Sequence, residues 1–209
     1  MPKLPGPIRS KSYTEATFQP YAVAIGRLVL GWNALHEDLA NIFCRLMGSD
    51  GDDARSLAVW HAVQFDRPKR VMFRGALEAE KDRKDADIVR LDDVIWLLNQ
   101  TDELENARND AVHSPLLLLG YRPDANYSAL SGWIIPDAFN KNPRALRLKG
   151  KDVLEYFRWI AKAIAALRVF AAAVESAWDG SKPWPDRPSL PARSAKRKTP
   201  WERYWVQKR

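Results

Sequence analysis

The 209-residue chain is long enough for one domain with a substantial core, and its single cysteine, Cys44, excludes an intrachain disulfide and fits a reducing compartment. Three histidines and one cysteine leave little material for a structural zinc site, so we expect neither a metal ion nor a cofactor. The formal charge of +7 lies in residues 181–209, which hold nine Lys or Arg and two acids, whereas the first 180 residues hold 24 of each. Outside that tail, composition excludes a uniformly basic nucleic-acid-coating surface.

Composition divides the chain into an N-terminal extension, residues 1–19, a helical domain, residues 20–180, and a basic tail, residues 181–209. The extension is not followed by an apolar core of signal-peptide type, because Arg27 interrupts the next apolar run. No segment approaches the roughly twenty apolar residues of a membrane span. We therefore expect a soluble, cytoplasmic protein that does not bind a membrane.

The first long helix is predicted between Pro20, which suits a first turn, and Gly48, which suits a stop. Its apolar residues recur at intervals of four and three: Tyr21, Ile25, Leu28, Trp32, Leu35, Leu39, Ile42 and Leu46. This spacing forms one stripe that packs along neighbouring helices. Asn33, His36 and Glu37 share the more polar side, where we expect His36 to be a surface or half-buried hydrogen-bonding residue.

Two shorter helices follow, over residues 54–63 and 66–81. Asp66 is the predicted N-cap of the second, since a short polar side chain can accept a hydrogen bond from the first turn. Its outer face is predicted to be basic and is either solvated or the flank of a phosphate path. The residues assigned to that face are Lys69, Arg70 and Arg74.

The next long helix is predicted to start near Asp85 or Asp87. Its apolar stripe consists of Ile88, Leu91, Ile95 and Leu98. The same spacing then reaches Asp102 and Glu105, so the stripe turns acidic toward the C-terminal end. A helix with this pattern either emerges into solvent or lines a cleft.

Residues 115–150 lack the helical spacing of apolar residues, and we interpret 116–121 and 131–136 as two short strands or an extended arm.

The last long helix, from Val153 to Trp178, again has an apolar stripe at intervals of four and three, and Gly180 ends it. The predicted fold is all-α, an up-and-down helical bundle with this arm between its last two long helices.

The basic tail begins with a proline-rich stretch that we expect to be extended and mobile. Thr199, Pro200 and Glu202 then match a capping box, which predicts a short terminal helix. Trp201, Tyr204 and Trp205 form its apolar face. So short a helix requires a docking surface, which its own bundle, a second subunit, a partner protein or single-stranded bases could supply.

Arg108, Asn109 and His113 form the chain's densest group of chemically useful residues. In a helix, Asn109 and His113 lie one turn apart on one face, and the long side chain of Arg108 can lean across to them. The helix is predicted to end at His113, because Pro115 pushes Ser114 out of the α region.

Two interpretations of this group remain open. An imidazole titrates near neutral pH and a guanidinium clamps phosphate oxygens, so the group suits cleavage or binding of a phosphodiester. Alternatively, Arg108 pairs with Asp102 or Glu105, and His113 only caps the helix end, where a cation is favoured.

The sequence resembles the HEPN superfamily over residues 20–178. The resemblance rests on Arg108, Asn109, three residues and His113 at the end of a long third helix, in a bundle whose first helix carries Trp32 and Glu37. It implies a homodimer in which two copies of Arg108 and His113 form one composite site. It also implies metal-independent endoribonuclease activity: the ribose 2′-hydroxyl attacks the adjacent phosphate, His113 transfers protons and Arg108 stabilises the anionic transition state.

The family implies further expectations. Asn109 would orient the histidine or contact phosphate, and the protein would serve in phage defence or as a toxin, with an antitoxin or regulatory protein as a partner. HEPN toxins controlled by tyrosine modification commonly carry a tyrosine two residues after the histidine, where this chain has Pro115. A defence-associated or solitary HEPN group is therefore the closer resemblance.

Two other hypotheses stay open. Non-catalytic nucleotide-binding or RNA-binding modules and regulatory scaffolds also belong to the family. A purely structural bundle whose tail recruits a partner is the third hypothesis.

Overall fold

The computed structural model of the protein describes residues 11–48, 53–114, 116–121, 131–136, 142–148 and 151–192. Its elements, in chain order, are α1 (Lys11–Met47), α2 (Asp53–Ala62), α3 (Asp66–Lys81), α4 (Ile88–His113), β1 (Leu116–Tyr121), β2 (Ser131–Pro136), α5 (Pro143–Leu148) and α6 (Val153–Ala177). Helices form most of the described chain and supply its core, which confirms the predicted all-α class. The short helix predicted near the C-terminus lies outside the described residues.

The described residues fall into two compact units. Of the described residues, those within 11–29, within 107–161 and residue 192 belong to unit 1, and those within 30–106 and 162–191 belong to unit 2. Each of the long helices α1, α4 and α6 therefore has one part in unit 1 and the other part in unit 2. The division predicted from the sequence, with one helical domain over residues 20–180, stays a prediction, because an apolar stripe along a helix does not reveal which neighbours pack on each of its ends.

The N-terminal boundary predicted for the first helix is wrong. Helix α1 begins at Lys11, so Pro20 lies inside the helix rather than in its first turn. Proline removes one backbone donor, but Pro20 is exposed, where water can bind the carbonyl oxygen that the helix leaves unpaired. The C-terminal end agrees with the prediction, since α1 ends immediately before Gly48.

Unit 1 contains the C-terminal end of α4, the β-ribbon and α5. Strands β1 and β2 pair antiparallel, from Leu116 opposite Pro136 to Tyr121 opposite Ser131. They lie in the segment where the sequence predicts short strands or an arm. Helix α5 was not predicted; Asn142 caps it, with its Oδ1 accepting from the backbone N–H of Arg144 at 2.9 Å. The buried side chains of unit 1 include Tyr21, Leu28, Ala111, Leu148, Phe157 and Ile160.

Unit 2 is a packed set of helices whose directions follow from their contacts. Helices α3 and α4 are antiparallel, because the pairs Arg70–Asp102 and Lys81–Asp92 run in opposite senses along them. Helix α1 lies parallel to α3, since α2 returns the chain between them. The aromatic residues Phe43, Trp60 and Phe73, one from each of α1, α2 and α3, pack together with ring centroids 5.5 to 6.1 Å apart.

The predicted N-cap of α3 is wrong. Phe65, in an extended conformation, is the N-cap and makes no side-chain capping bond, while Asp66 is already helical. The Asp66 carboxylate accepts a hydrogen bond from Trp32 Nε1 at 2.8 Å. The Asp66 side chain therefore binds Trp32 on α1 and does not cap its own helix.

The first part of the basic tail lies on unit 2 as an extended strap, which we define as residues 181–191. Trp184 Nε1 donates to Asp93 Oδ2 at 2.7 Å, and Arg187 Nε donates to Asp93 Oδ1. The Arg90 guanidinium lies 4.9 Å from the centre of the Trp184 ring. The stretch is extended, as predicted, but it is anchored to α4.

None of the helices in the described part of the chain combines the length and apolar character needed to cross a bilayer.

Candidate functional site

The group predicted from the sequence lies on the last two turns of α4, in unit 1. Arg108 and Asn109 are half-buried, and Arg108 Nη1 donates to Asn109 Oδ1 at 2.9 Å. This bond holds the guanidinium on the side of the helix where Asn109 lies. Because His113 follows Asn109 by one turn, the cation and the imidazole share one region of the helix surface.

His113 is the last residue of α4 and is exposed. The helix ends where the Ser114–Pro115 sequence predicted. Within the described part of the chain, the His113 side chain makes no hydrogen bond or ion pair, so no carboxylate there fixes its tautomer. An imidazole that is open to solvent at a helix C-terminus can accept a proton or contact a phosphate group.

Asp110, inside the same six-residue stretch, is a residue whose role sequence reasoning missed. It is buried, and Arg147 of α5 binds it through two parallel hydrogen bonds: Nε to Oδ2 at 2.8 Å and Nη2 to Oδ1 at 2.6 Å. The Asp110 carboxylate raises the pKa of Arg147 above its ordinary value. No local pattern pairs these residues, because Arg147 reaches Asp110 only after the β-ribbon has returned the chain.

The placement of Arg70 on an outer face is wrong. Arg70 is 1% exposed, and it bonds to residues from α1 and α4 in unit 2. Its Nε donates to Asp102 Oδ1 at 2.6 Å and its Nη2 to Glu105 Oε2 at 2.7 Å. Arg74 Nη2 donates to the other Asp102 oxygen at 2.9 Å. Both carboxylates that the sequence offered as alternative partners of Arg108 therefore bind arginine on α3.

His36 completes this buried network, and its tautomer follows from its two neighbours. Its Nδ1 lies 3.1 Å from the carbonyl oxygen of Trp32, which can only accept, so Nδ1 carries the proton. Its Nε2 then accepts from Arg70 Nη1 at 2.9 Å. Burial lowers the pKa of His36, a shift that nearby Asp66 partly opposes. With both nitrogens bonded, His36 is a neutral structural partner and not a proton carrier.

Two patterns in the sequence carried a signal for this network. Asp66, Arg70 and Arg74 step by four along α3, which places them on one face. The stripe of α4 becomes acidic at Asp102 and Glu105. The two arginines on α3 and the two acids on α4 are complementary in charge, but the sequence does not say which two helices are neighbours.

The two clusters differ in what they can do chemically. The Arg70 network has its hydrogen-bonding capacity occupied by its own residues, so it stabilises α3 against α1 and α4. The end of α4 combines an exposed imidazole, a guanidinium and an amide, the group types that bind a phosphodiester and move its protons.

The chain matches no model of a known protein family, no curated protein and no solved structure.

Proposed function

We propose that the chain is a metal-independent endoribonuclease of HEPN type, acting as a homodimer in phage defence or as a toxin. The observation that supports this most is the grouping of Arg108, Asn109 and His113 at the end of α4, with the imidazole exposed and the guanidinium held by the amide. The proposal otherwise rests on the resemblance of that motif to the family's.

In the proposed reaction, the ribose 2′-oxygen attacks the adjacent phosphorus. His113 of one copy accepts the 2′-hydroxyl proton as the new P–O bond forms, and His113 of the second copy donates a proton to the departing 5′-oxygen. Arg108 binds the non-bridging phosphate oxygens as negative charge builds up on them. The products are a 2′,3′-cyclic phosphate and a 5′-hydroxyl, so no water or metal-bound hydroxide enters the cleavage step.

Asn109 has a supporting role in this scheme. Its Oδ1 accepts from Arg108, which fixes the plane of the guanidinium before substrate arrives. Its amide nitrogen can donate to a phosphate oxygen or to the ribose. An antitoxin or regulatory protein would then act by covering this end of α4.

The test is cleavage of single-stranded RNA by purified protein in EDTA at pH 7.5, with the chemistry of the product ends determined. We expect cyclic phosphate and 5′-hydroxyl ends, and we expect His113→Ala to lower the rate at least about 100-fold, the usual contribution of a general acid or base. His61→Ala is the matched control, because His61 is an exposed histidine on α2 in unit 2. It should cut at the wild-type rate.

Light scattering on the same samples measures the oligomeric state, which should be a dimer for the wild type and for His113→Ala. Equal cleavage by His113→Ala and wild type would refute the assigned catalytic role. RNA binding without turnover, weakened by Arg108→Ala, would instead support the non-catalytic binding module.

A further inference from the structure

Arg147 presents a second guanidinium close to the proposed site. Its side chain is 53% exposed, whereas that of its partner Asp110 is 4% exposed. Two of its three nitrogens, Nε and Nη2, bind the carboxylate. Within the described part of the chain, the third nitrogen, Nη1, has no hydrogen-bond partner. A buried carboxylate thus fixes the plane of an arginine whose outer edge faces solvent.

Helix geometry places Asp110, the carboxylate that binds this arginine, beside His113. Asp110 and His113 are three residues apart on α4, so their side chains are neighbours, about 5–6 Å apart at Cβ. At about 100° per residue, Asp110 lies about 60° from His113 around the helix axis, and Arg108 lies about 140° from it in the other direction, with its side chain leaning back toward Asn109. The imidazole therefore has Arg108 on one side and the Asp110–Arg147 pair on the other.

Other features around Arg147 keep this position rigid. Asn142 caps α5, and Ala145 and Leu148 bury its inner face, so the helix that carries Arg147 is fixed in unit 1. The N–H groups that Asp110 does not use, on Nη1 and on the outer side of Nη2, are held in one fixed plane and suit binding of an anion with several oxygens, which phosphate is.

We propose that Arg147 binds a backbone phosphate of the RNA next to the phosphate that is cleaved, and that Asp110 orients it for this contact. The inference rests on the proposed function and deepens it, because it assigns a substrate-binding residue to the same site. Arg147 holds the strand while His113 and Arg108 act on the neighbouring linkage.

The test measures RNA affinity as a function of salt, in the His113→Ala background so that the RNA stays intact. Each phosphate contact to single-stranded nucleic acid contributes about 0.7 to the slope of log affinity against log salt. We expect Arg147→Gln to weaken binding at low salt and to reduce the slope by about that amount. Arg158→Gln is the control: it removes the same charge from an exposed arginine that pairs with Glu155 on its own helix. It should leave the slope unchanged.

Two further variants separate phosphate binding from a structural role. Arg147→Lys keeps the cation, so it should keep most of the slope even though the two-pronged bond to Asp110 is lost. Asp110→Asn keeps Arg147 and should also retain the slope, with weaker affinity. Thermal unfolding confirms that each variant is folded. If Arg147→Gln and Arg158→Gln have the same slope, or if Arg147→Lys loses as much slope as Arg147→Gln, Arg147 is only a structural link between α5 and α4.

The outcomes also separate this inference from the proposed function. Wild-type cleavage that depends on His113, together with an unchanged slope in Arg147→Gln, would overturn the inference alone. An Arg147-dependent slope without any cleavage would overturn the nuclease proposal and leave Arg147 as an RNA-binding residue. No RNA binding by any variant would overturn both.

Discussion

Arg70 is the residue on which the buried polar part of unit 2 depends. It connects His36 on α1 with Asp102 and Glu105 on α4 and lies 5.8 Å from the centre of the Trp32 ring. A guanidinium can make these bonds together because its donors are fixed in one plane. A lysine at this position has no such fork and cannot reproduce the set.

We therefore expect Arg70→Ala to lower the free energy of unfolding by about 3 kcal/mol, the lower end of the range for removing one member of a buried ion pair. The lower end applies because Asp102 is 43% exposed and water can solvate it after the change. Urea unfolding measures the effect. Arg67→Ala, an exposed arginine on the same helix, should stay within about 0.5 kcal/mol of wild type. Equal stability of the two variants would contradict the structural role of Arg70.

The burial of His36 predicts that the stability of the protein depends on pH. Burial lowers the pKa of His36 in the folded state below about 6.5, its value in the unfolded chain. Below pH 6.5 the unfolded state therefore binds more protons than the folded state, and the free energy of unfolding falls as pH falls. This loss continues until the folded pKa is reached, with a slope of at most about 1.4 kcal/mol per pH unit.

Urea unfolding between pH 7.5 and 5 tests this, because ordinary carboxylates stay ionised in that window. His36→Gln does not titrate there, and its amide can still accept from Arg70. The stability of this variant should depend less on pH than that of wild type. Parallel curves for the two proteins would show that His36 does not contribute.

At the scale of elements, the strap is held by specific bonds although its composition resembles that of a flexible linker. Pro183, Pro185, Pro188 and Pro191 fix backbone φ angles, so the unfolded chain loses less entropy when this stretch docks. Asp93, which is buried, then accepts from both Trp184 and Arg187.

We expect Asp93→Ala to lower the free energy of unfolding by about 2 kcal/mol, because hydrogen bonds to a charged group contribute about 1.5–3 kcal/mol each and Arg187 is partly solvated. Hydrogen exchange of the amides in residues 182–190 should become faster than in wild type. Asp186→Ala alters an exposed acid within the strap itself and should change neither quantity. Unaltered exchange in Asp93→Ala would mean that other contacts hold the strap.

At the scale of the whole molecule, helices supply the core while the net charge lies in the tail. The first 180 residues are neutral in sum, and three arginines of unit 2 are bound to acids of their own unit: Arg70, Arg74 and Arg187. A general electrostatic attraction to nucleic acid is therefore not what the helical part offers. Recognition of RNA there would depend on a few placed residues such as Arg108 and Arg147.

The sequence by itself determined that the long helices exist and where α4 ends. Intervals of three and four depend only on backbone geometry, so the buried stripes of α1 and α6 could be read directly, and Pro115 marked where α4 ends. The stripe predicted for α4 is only partly buried, since Leu91 and Leu98 are buried but Ile88 is exposed. The same local reasoning grouped Arg108, Asn109 and His113, because all three belong to one helix.

Only the tertiary structure decided which charged residues are buried and with whom. Arg70 and Asp102 are 32 residues apart in sequence, and Arg147 and Asp110 are 37 apart. A charged residue is normally assigned to the surface because an unpaired buried charge is costly, and that cost disappears only when a distant partner is brought into contact. Helix periodicity does not say which helices are neighbours, and so the sequence alone assigns Arg70 to an outer face and gives Arg147 no role.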